Sequence, residues 1–466
     1  MSPKTSSNKA FYGAFWFVVA ALSVGILILA LLVTTSGPRV RQVVAQNPRG
    51  EGLANVNQAL TVSFDRPIES SDYQSAVDIQ PEVAHTVSHR NQQLNITFDQ
   101  NLLSNTDYVL TIKPLLEDDL GKPMRSEYTY EFTTTEPSFT YLERNYEPGA
   151  VDKVIQRFPV SERNYVLYGA DKITSFARNS QYLAIVLPRA GNTDELRVID
   201  LGSLEESTLD IPANTRVDNL KFSPTDNQFV FVAHPSLGSE GAYSQASGDK
   251  LYRYDINGEQ LQPVVDLSEE GNIQSVLYSQ DGQALLYHTL DGEYYLMGAT
   301  QSAAPTPLGK YAQTGGFDRT NTKLTFLSGS DAMIYDSQAK EDQEVQNIQV
   351  GGRISTPAFL RNSDELLYLK EPLGSRTLHV YTASADGGEP QEQLIETEPP
   401  AKFFDEPAVS DDDRYVLIEA TFEPQGDDDY VGNRQPKDAR LVLYDRFEGK
   451  VIDPGTVRGI DPVWNR

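Results

Sequence analysis

Residues 220–233 read LKFSPTDNQFVFVA: an apolar alternating run, a polar turn, then a second apolar run. Alternation with period two marks a strand with one buried face, and Ser, Pro, Asp and Asn are the residues that reverse a chain. The same strand–turn–strand unit recurs as SFARNSQYLAIVL (175–187), VLYSQDGQALLYHT (276–289), GFDRTNTKLTFLS (316–328), AFLRNSDELLYLK (358–370) and AVSDDDRYVLIEA (408–420). Most copies are followed by a further run, such as LRVIDL, KLYRYDI, EYYLMGA, AMIYDS, TLHVYTA or RLVLYDR. Phe176, Leu220, Val276, Gly316, Ala358 and Val409 stand at equivalent places, some 40 to 56 residues apart. That period is the length of a propeller blade of four antiparallel strands.

The two ends of this region complete each other. GIDPVWNR (459–466) reads as a first strand lacking its second, and FTYLER (139–144) as a second strand lacking its first. Joined, they make a seventh copy that closes the ring and leaves no sheet edge at the seam. A seven-bladed β-propeller over 137–466, closed by 459–466, is therefore expected, with six blades as the alternative if the copy around GFDRT folds differently. DPVWNR and FSPTDNQFVFVA resemble the repeat of the TolB-like, WD40-like β-propeller family, P-x-W-S-P-D-G-x-x-I-A-Y. The resemblance covers about 330 residues and implies the fold; propellers serve binding, scaffolding and several enzyme classes, so it does not choose an activity.

Ahead of the propeller, residues 43–135 carry short alternating runs, ALTVSF (59–64), LNITF (94–98), YVLTI (108–112) and YTYEF (128–132), separated by turn residues. Such spacing fits an immunoglobulin-like sandwich without its disulfide. The order FDRPI, VDIQPEV, QLNITF, LSNTDYVLTI, LGKPM and YEFTTT resembles the SbsA-type bacterial Ig-like domain, which implies a spacer or adhesion module outside the cell and no catalytic residues. His85 and His89, four apart on one strand, are about 13 Å apart along it, too far to share an ion unaided.

Residues 11–33, FYGAFWFVVAALSVGILILALLV, hold no charge and would rise about 34 Å as a helix. An uncleaved signal anchor is expected there, with residues 1–10 in the cytoplasm, a linker over 34–42, and the bulk beyond the plasma membrane. Lys4 and Lys9 before the span against Arg39, Arg41 and Arg49 after it leave the orientation to the kinds of domain downstream. The fold class expected overall is an all-β ectodomain with one N-terminal transmembrane helix.

Composition narrows the chemistry. The 466 residues include no cysteine, so disulfides, thiolate metal sites and cysteine nucleophiles are excluded. With 39 Lys and Arg against 66 Asp and Glu, a net charge of −27, the chain is unsuited to a phosphate backbone, and nucleic acid is not an expected partner. A serine hydrolase would need a G-x-S-x-G elbow with an α/β domain, and neither is in the sequence. Asp411, Asp412 and Asp413 fall in the turn between a blade's first two strands, where turn chemistry explains them. Asp427, Asp428 and Asp429 lie in an insertion, GDDDYVGNRQPKD (426–438), and form the candidate calcium site; no other cofactor is implied.

Topology gives the better site argument. Loops joining a blade's second and third strands emerge on the same face as the links between blades, so the two longest insertions, 234–250 and 421–438, rise from one face. Tyr243, Asp428, Tyr430, Phe403 and Phe404 are the candidate partner-binding residues there. The function expected is non-catalytic recognition of an envelope protein or a cell-wall glycan. A propeller-based glycan lyase or hydrolase, and a structural subunit of an envelope or secretion complex, are the alternatives.

Overall fold

In ALTVSF (59–64) and QLNITF (93–98) every second side chain is buried, and the two strands pair antiparallel with Val62 opposite Leu94. Flanked by Val40–Ala45 and His85–Arg90, they form a four-stranded sheet. Tyr128–Thr133, Asp107–Ile112 and Val77–Gln80 form a second sheet of three. Leu60, Val62, Leu94 and Ile96 of the first meet Ile79, Tyr108, Leu110 and Phe132 of the second in one core. This is a sandwich whose faces are set by period-two burial. His85 is bonded to the Val83 carbonyl at 2.8 Å, and His89 to that of Asn91 at 2.9 Å while stacking on Tyr73. Each imidazole is thus engaged locally.

The structure is a computed structural model that describes residues 8–34, 37–45, 48–49, 52–53, 58–236, 248–267, 271–299, 304–328, 331–339, 341–344, 352–372, 378–384, 391–395, 403–404, 407–422, 426–428, 430 and 435–465. It divides into two units, Met1–Thr135 and Glu136–Arg466. The helix in the first runs Asn8–Thr34. The expectation of a membrane-crossing anchor over 11–33 is corrected here: among the described residues no helix is long and apolar enough to cross a membrane.

The second unit holds seven four-layered antiparallel sheets among the described residues, here blades 1 to 7. From the innermost strand outward, blade 1 is Ile460–Trp464, Phe139–Glu143, Asp152–Phe158 and Arg163–Ala170. Blade 2 is Ser175–Arg178, Tyr182–Arg189, Thr193–Asp200 and Glu206–Thr208. Blade 3 is Thr215–Phe222, Gln228–Pro235, Lys250–Asp255 and Gln260–Asp266; blade 4 is Ile273–Tyr278, Ala284–Thr289, Glu293–Gly298 and Thr306–Lys310. Blade 5 is Gln313–Phe317, Lys323–Ser328, Asp331–Asp336 and Glu341–Glu344. Blades 6 and 7 each split their innermost strand: Gly352–Ile354 with Ala358–Phe359, then Glu365–Pro372, Leu378–Ser384 and Gln391–Ile395; Phe403–Phe404 with Ala408–Val409, then Tyr415–Thr421, Ala439–Asp445 and Lys450–Arg458.

Packing between sheets closes the ring. Leu142 and Val154 of blade 1 pack on Phe176 and Ile185 of blade 2, Val186 on Val217 and Phe229 of blade 3, and Val232 on Ile273 and Val276 of blade 4. Leu286 and Tyr294 then meet Phe317 and Phe326, Leu327 meets Phe359 and Tyr368, and Leu367 meets Val416 and Val442. The last junction returns to the start, Leu417 and Leu441 of blade 7 on Phe139 and Tyr141 of blade 1. A buried apolar cluster therefore stands at every junction, and the C-terminal strand pairs with Phe139–Glu143, Trp464 opposite Phe139 and Ile460 opposite Leu142.

Several of these junctions bury tyrosines. Burial pushes the phenols of Tyr141, Tyr287, Tyr368 and Tyr415 from 10.0 up to about 12. Below pH 10 they are neutral in both folded and unfolded chain, so their full contribution is present. Between pH 10 and about 12 only the unfolded chain ionises, and stability falls through that window. The denaturant midpoint is expected to drop steadily there, with phenolate absorbance rising together with loss of the β-sheet signal. Phenolates formed in an intact fold would contradict this burial.

Candidate functional site

The links on one face of the ring converge beside blade 1. Residues 144–151 join its second and third strands, 171–174 lead from its outer strand into blade 2, and 426–438 belong to the insertion of blade 7.

At the head of a third strand an aspartate recurs. Asp152 of blade 1 accepts the Ile173 backbone N–H at 2.8 Å, Asp194 of blade 2 that of Val217 at 2.8 Å, and Asp249 of blade 3 that of Ile273 at 2.7 Å. Each carboxylate thus grips the entry to the following blade. Buried backbone donors need such acceptors, and an ionised acceptor binds more strongly than a neutral one. In blade 3 the second oxygen of Asp249 meets His234 Nδ1 at 2.8 Å. In blade 1 Asp152 also takes the Asn145 N–H at 2.9 Å and the hydroxyl of Tyr430.

Tyr430 comes from the insertion of blade 7, so its hydroxyl ties that loop to blade 1. Arg144 completes the tie: it donates to Asp428 Oδ2 at 2.6 Å and to the Thr174 carbonyl at 2.7 Å, and its guanidinium lies 4.0 Å from the centroid of the Tyr430 ring. Asp428 Oδ1 accepts the Tyr430 N–H at 3.1 Å, and the Asp428 N–H donates to the Gln435 carbonyl. Arg144 and Asp428 side chains are 1% and 0% exposed, so this is a fully desolvated ion pair. Burial, then the bond to Asp152, drives the Tyr430 phenol far above its usual range. Burial and the nearby Asp428 raise Tyr146 to about 12, against the opposing charge of Arg144. Both phenols are neutral donors at physiological pH.

Above this floor opens a cavity of about 970 Å³, lined by Tyr146, Lys172, Arg189, Arg197, Lys437 and Tyr430 among others. The Lys172 ammonium lies 4.8 Å from the Tyr430 ring and that of Lys437 5.8 Å from the Tyr146 ring. Arg197 donates to the Tyr168 hydroxyl at 3.0 Å and meets Glu195, which also holds Arg189. The volume is that of a small-ligand or side-chain pocket. Its lining also includes Glu147 and Asp171, so it offers donors and acceptors beside aromatic faces, a combination suited to hydroxyl-bearing groups.

Of the residues singled out in the sequence, Asp428 and Tyr430 come together here, but as floor. They are 4% and 3% exposed, and their polar groups are spent inside the fold rather than offered to a partner. Phe403 and Phe404 form a short strand against Thr421 and Ala420, with their side chains outside the described residues; Tyr243 and Asp429 also lie outside them. For the candidate calcium site, Asp427 is exposed while Asp428 is held by Arg144; among the described residues no three His, Asp or Glu are grouped to hold a metal. Asp411, Asp412 and Asp413 are buried turn residues, Asp413 accepting the Arg361 and Asn362 N–H groups of blade 6. Arg144 and Asp152 escaped the sequence reading. The signal for Asp152 was present in AVDK, NTDE and SGDK, an aspartate at the head of successive third strands.

Residues 35–134 match the bacterial Ig-like domain family. No curated protein matches the chain. Among solved structures, TolB from Acinetobacter baumannii is similar at 13% identity and a TM-score of 0.40, over 70% of this chain and 82% of that one. A prolyl endopeptidase aligns at 12% identity and 0.49, over 79% and 49%, and a chain of a mitotic checkpoint complex at 13% and 0.41, over 58% and 81%. Likenesses this distant, to proteins this different, bring no activity to this chain.

Proposed function

We propose that this chain is a non-catalytic recognition protein of the bacterial envelope, lying outside the cytoplasm, that takes an envelope protein or cell-wall glycan into the cavity between blades 1, 2 and 7. The observation that carries the reading is the rigid floor under a donor-rich pocket: Arg144, Asp152, Asp428 and Tyr430 hold three separate links in one geometry. Binding surfaces on loops gain when the loops are ordered beforehand, since less entropy is lost on association. The floor's carboxylates are committed to Arg144 and Tyr430, an arrangement for holding shape rather than for moving protons. The bacterial Ig-like domain, with its SbsA-type motif order, serves in this reading as a spacer.

The test is capture from envelope extract by the full chain, with bound protein and bound glycan measured separately. Tyr430 is a poor probe because it is buried. Tyr146→Ala with Lys437→Ala alters the pocket wall instead, and is expected to reduce capture at least about tenfold, the effect of roughly 1.4 kcal/mol, with an unchanged melting temperature. Capture unaffected by the pair would reject this pocket, and glycan shortened during incubation would replace recognition by hydrolysis or lysis.

A further inference from the structure

A propeller exposes one free edge per blade, and among the described residues six of the seven are guarded. The outermost strand of blade 2 is three residues, Glu206–Thr208, with a charge; those of blades 5 and 6 begin EDQE and QEQ. Those of blades 3, 4 and 7 carry a proline within the pairing, Pro263, Pro307 and Pro454. Short length, charge and proline are the devices that stop one sheet from extending another. Blade 1 has only one of them, the charge of Arg163 at its very start. Its outer strand, Arg163–Ala170, reads RNYVLYGA: eight residues, no proline, no charge after Arg163. Tyr165 is 48% and Val166 60% exposed, and Val160 and Val151 add further exposed apolar surface. Arg163 through Val166 pair regularly with Phe158 through Ile155, and the one irregularity falls beyond, at Leu167.

We propose that this edge is a self-association surface: two copies of the chain join through Arg163–Ala170, antiparallel about a two-fold axis, into one continuous sheet. The choice of a second copy rests on charge and symmetry. With Val166 opposite Val166 of the copy, Tyr165 meets Leu167, Asn164 meets Tyr168 and Arg163 meets Gly169, so no like charges face each other. A two-fold contact lets both copies satisfy their bare N–H and C=O groups at once. On a chain of net charge −27, the uncharged run Asn164–Ala170 lets two copies approach without acidic side chains facing each other across the seam.

Sedimentation velocity on the full chain, from about 1 to about 100 µM, is expected to show a concentration-dependent dimer of the 51.8 kDa chain. Raising salt from about 50 mM to about 500 mM should tighten it, since screening weakens the long-range repulsion between the acidic copies. Val166→Lys and Val166→Glu, each of which would face its own charge across the seam, should weaken association at least about tenfold without moving the melting temperature, because the side chain is exposed. A monomer at every concentration, or a dimer indifferent to both substitutions, overturns the proposal.

Discussion

Truncation after Gly459 is expected to cost the propeller about 5 kcal/mol or more, a large share of a typical domain's stability. The deleted strand is short, but its losses are concentrated. Ile460 is buried against the blade 1–blade 2 core. Trp464 stands edge-on to Phe139 at 5.6 Å and near Tyr415, and its indole N–H donates to the Ala408 carbonyl at 2.9 Å, so it bridges the first blade to the last. Asn465 adds bonds to Ser138 and Thr140. Removal would also bare Phe139–Glu143, four of whose five side chains are buried, as an apolar edge open to aggregation. Trp464→Ala, which keeps the backbone pairing, should cost less, about 2–3 kcal/mol. The measurement is thermal and denaturant unfolding of both variants. A truncated chain that melts with the intact one would mean that the ring is held closed by its other junctions alone.

The part of this architecture that is local was legible in the sequence. SPTDN, SQDG and SDDD are turns by composition, and the runs beside them alternate, so the first two strands of each blade and their period could be read directly. The outer strands were harder: EST and EDQE have neither alternation nor apolar content, because a half-exposed edge does not need them. The floor of the pocket was illegible for a different reason. Arg144 and Asp428 are 284 residues apart, and Tyr430 and Asp152 278 apart, neighbours only because the ring closes. An aspartate and a tyrosine in a loop rich in glycine and aspartate read as solvent-facing, and nothing nearby in sequence revealed the arginine that buries them. The N-terminal helix shows the converse limit. An uncharged apolar run specifies helix readily, as Asn8–Thr34 does, but forming a helix does not by itself specify a membrane crossing.

Arg144→Met should destabilise the propeller by about 3–5 kcal/mol, the second large effect, although the change in volume is small. Its cause is the partner left behind. Asp428 would keep its carboxylate in a site from which water is excluded, with the Tyr430 N–H at 3.1 Å still donating to it. Breaking a buried pair by removing one member costs far more than the pair itself contributes. The Thr174 carbonyl loses its donor and the Tyr430 ring its stacked guanidinium at the same stroke. Combining Arg144→Met with Asp428→Asn removes both charges, and the double variant should be more stable than Arg144→Met alone, with a coupling in the cycle of about 1–3 kcal/mol. Additive losses would mean that the ion pair is incidental and that packing carries the junction. The same variants separate structure from recognition. If the floor presets the loops of blades 1 and 7, capture should fall with Arg144→Met and return in part with the double change, even where both chains are fully folded at the temperature of the assay. Capture that ignores the floor altogether would move the binding surface away from this cavity, while leaving the energetic argument for Arg144 intact.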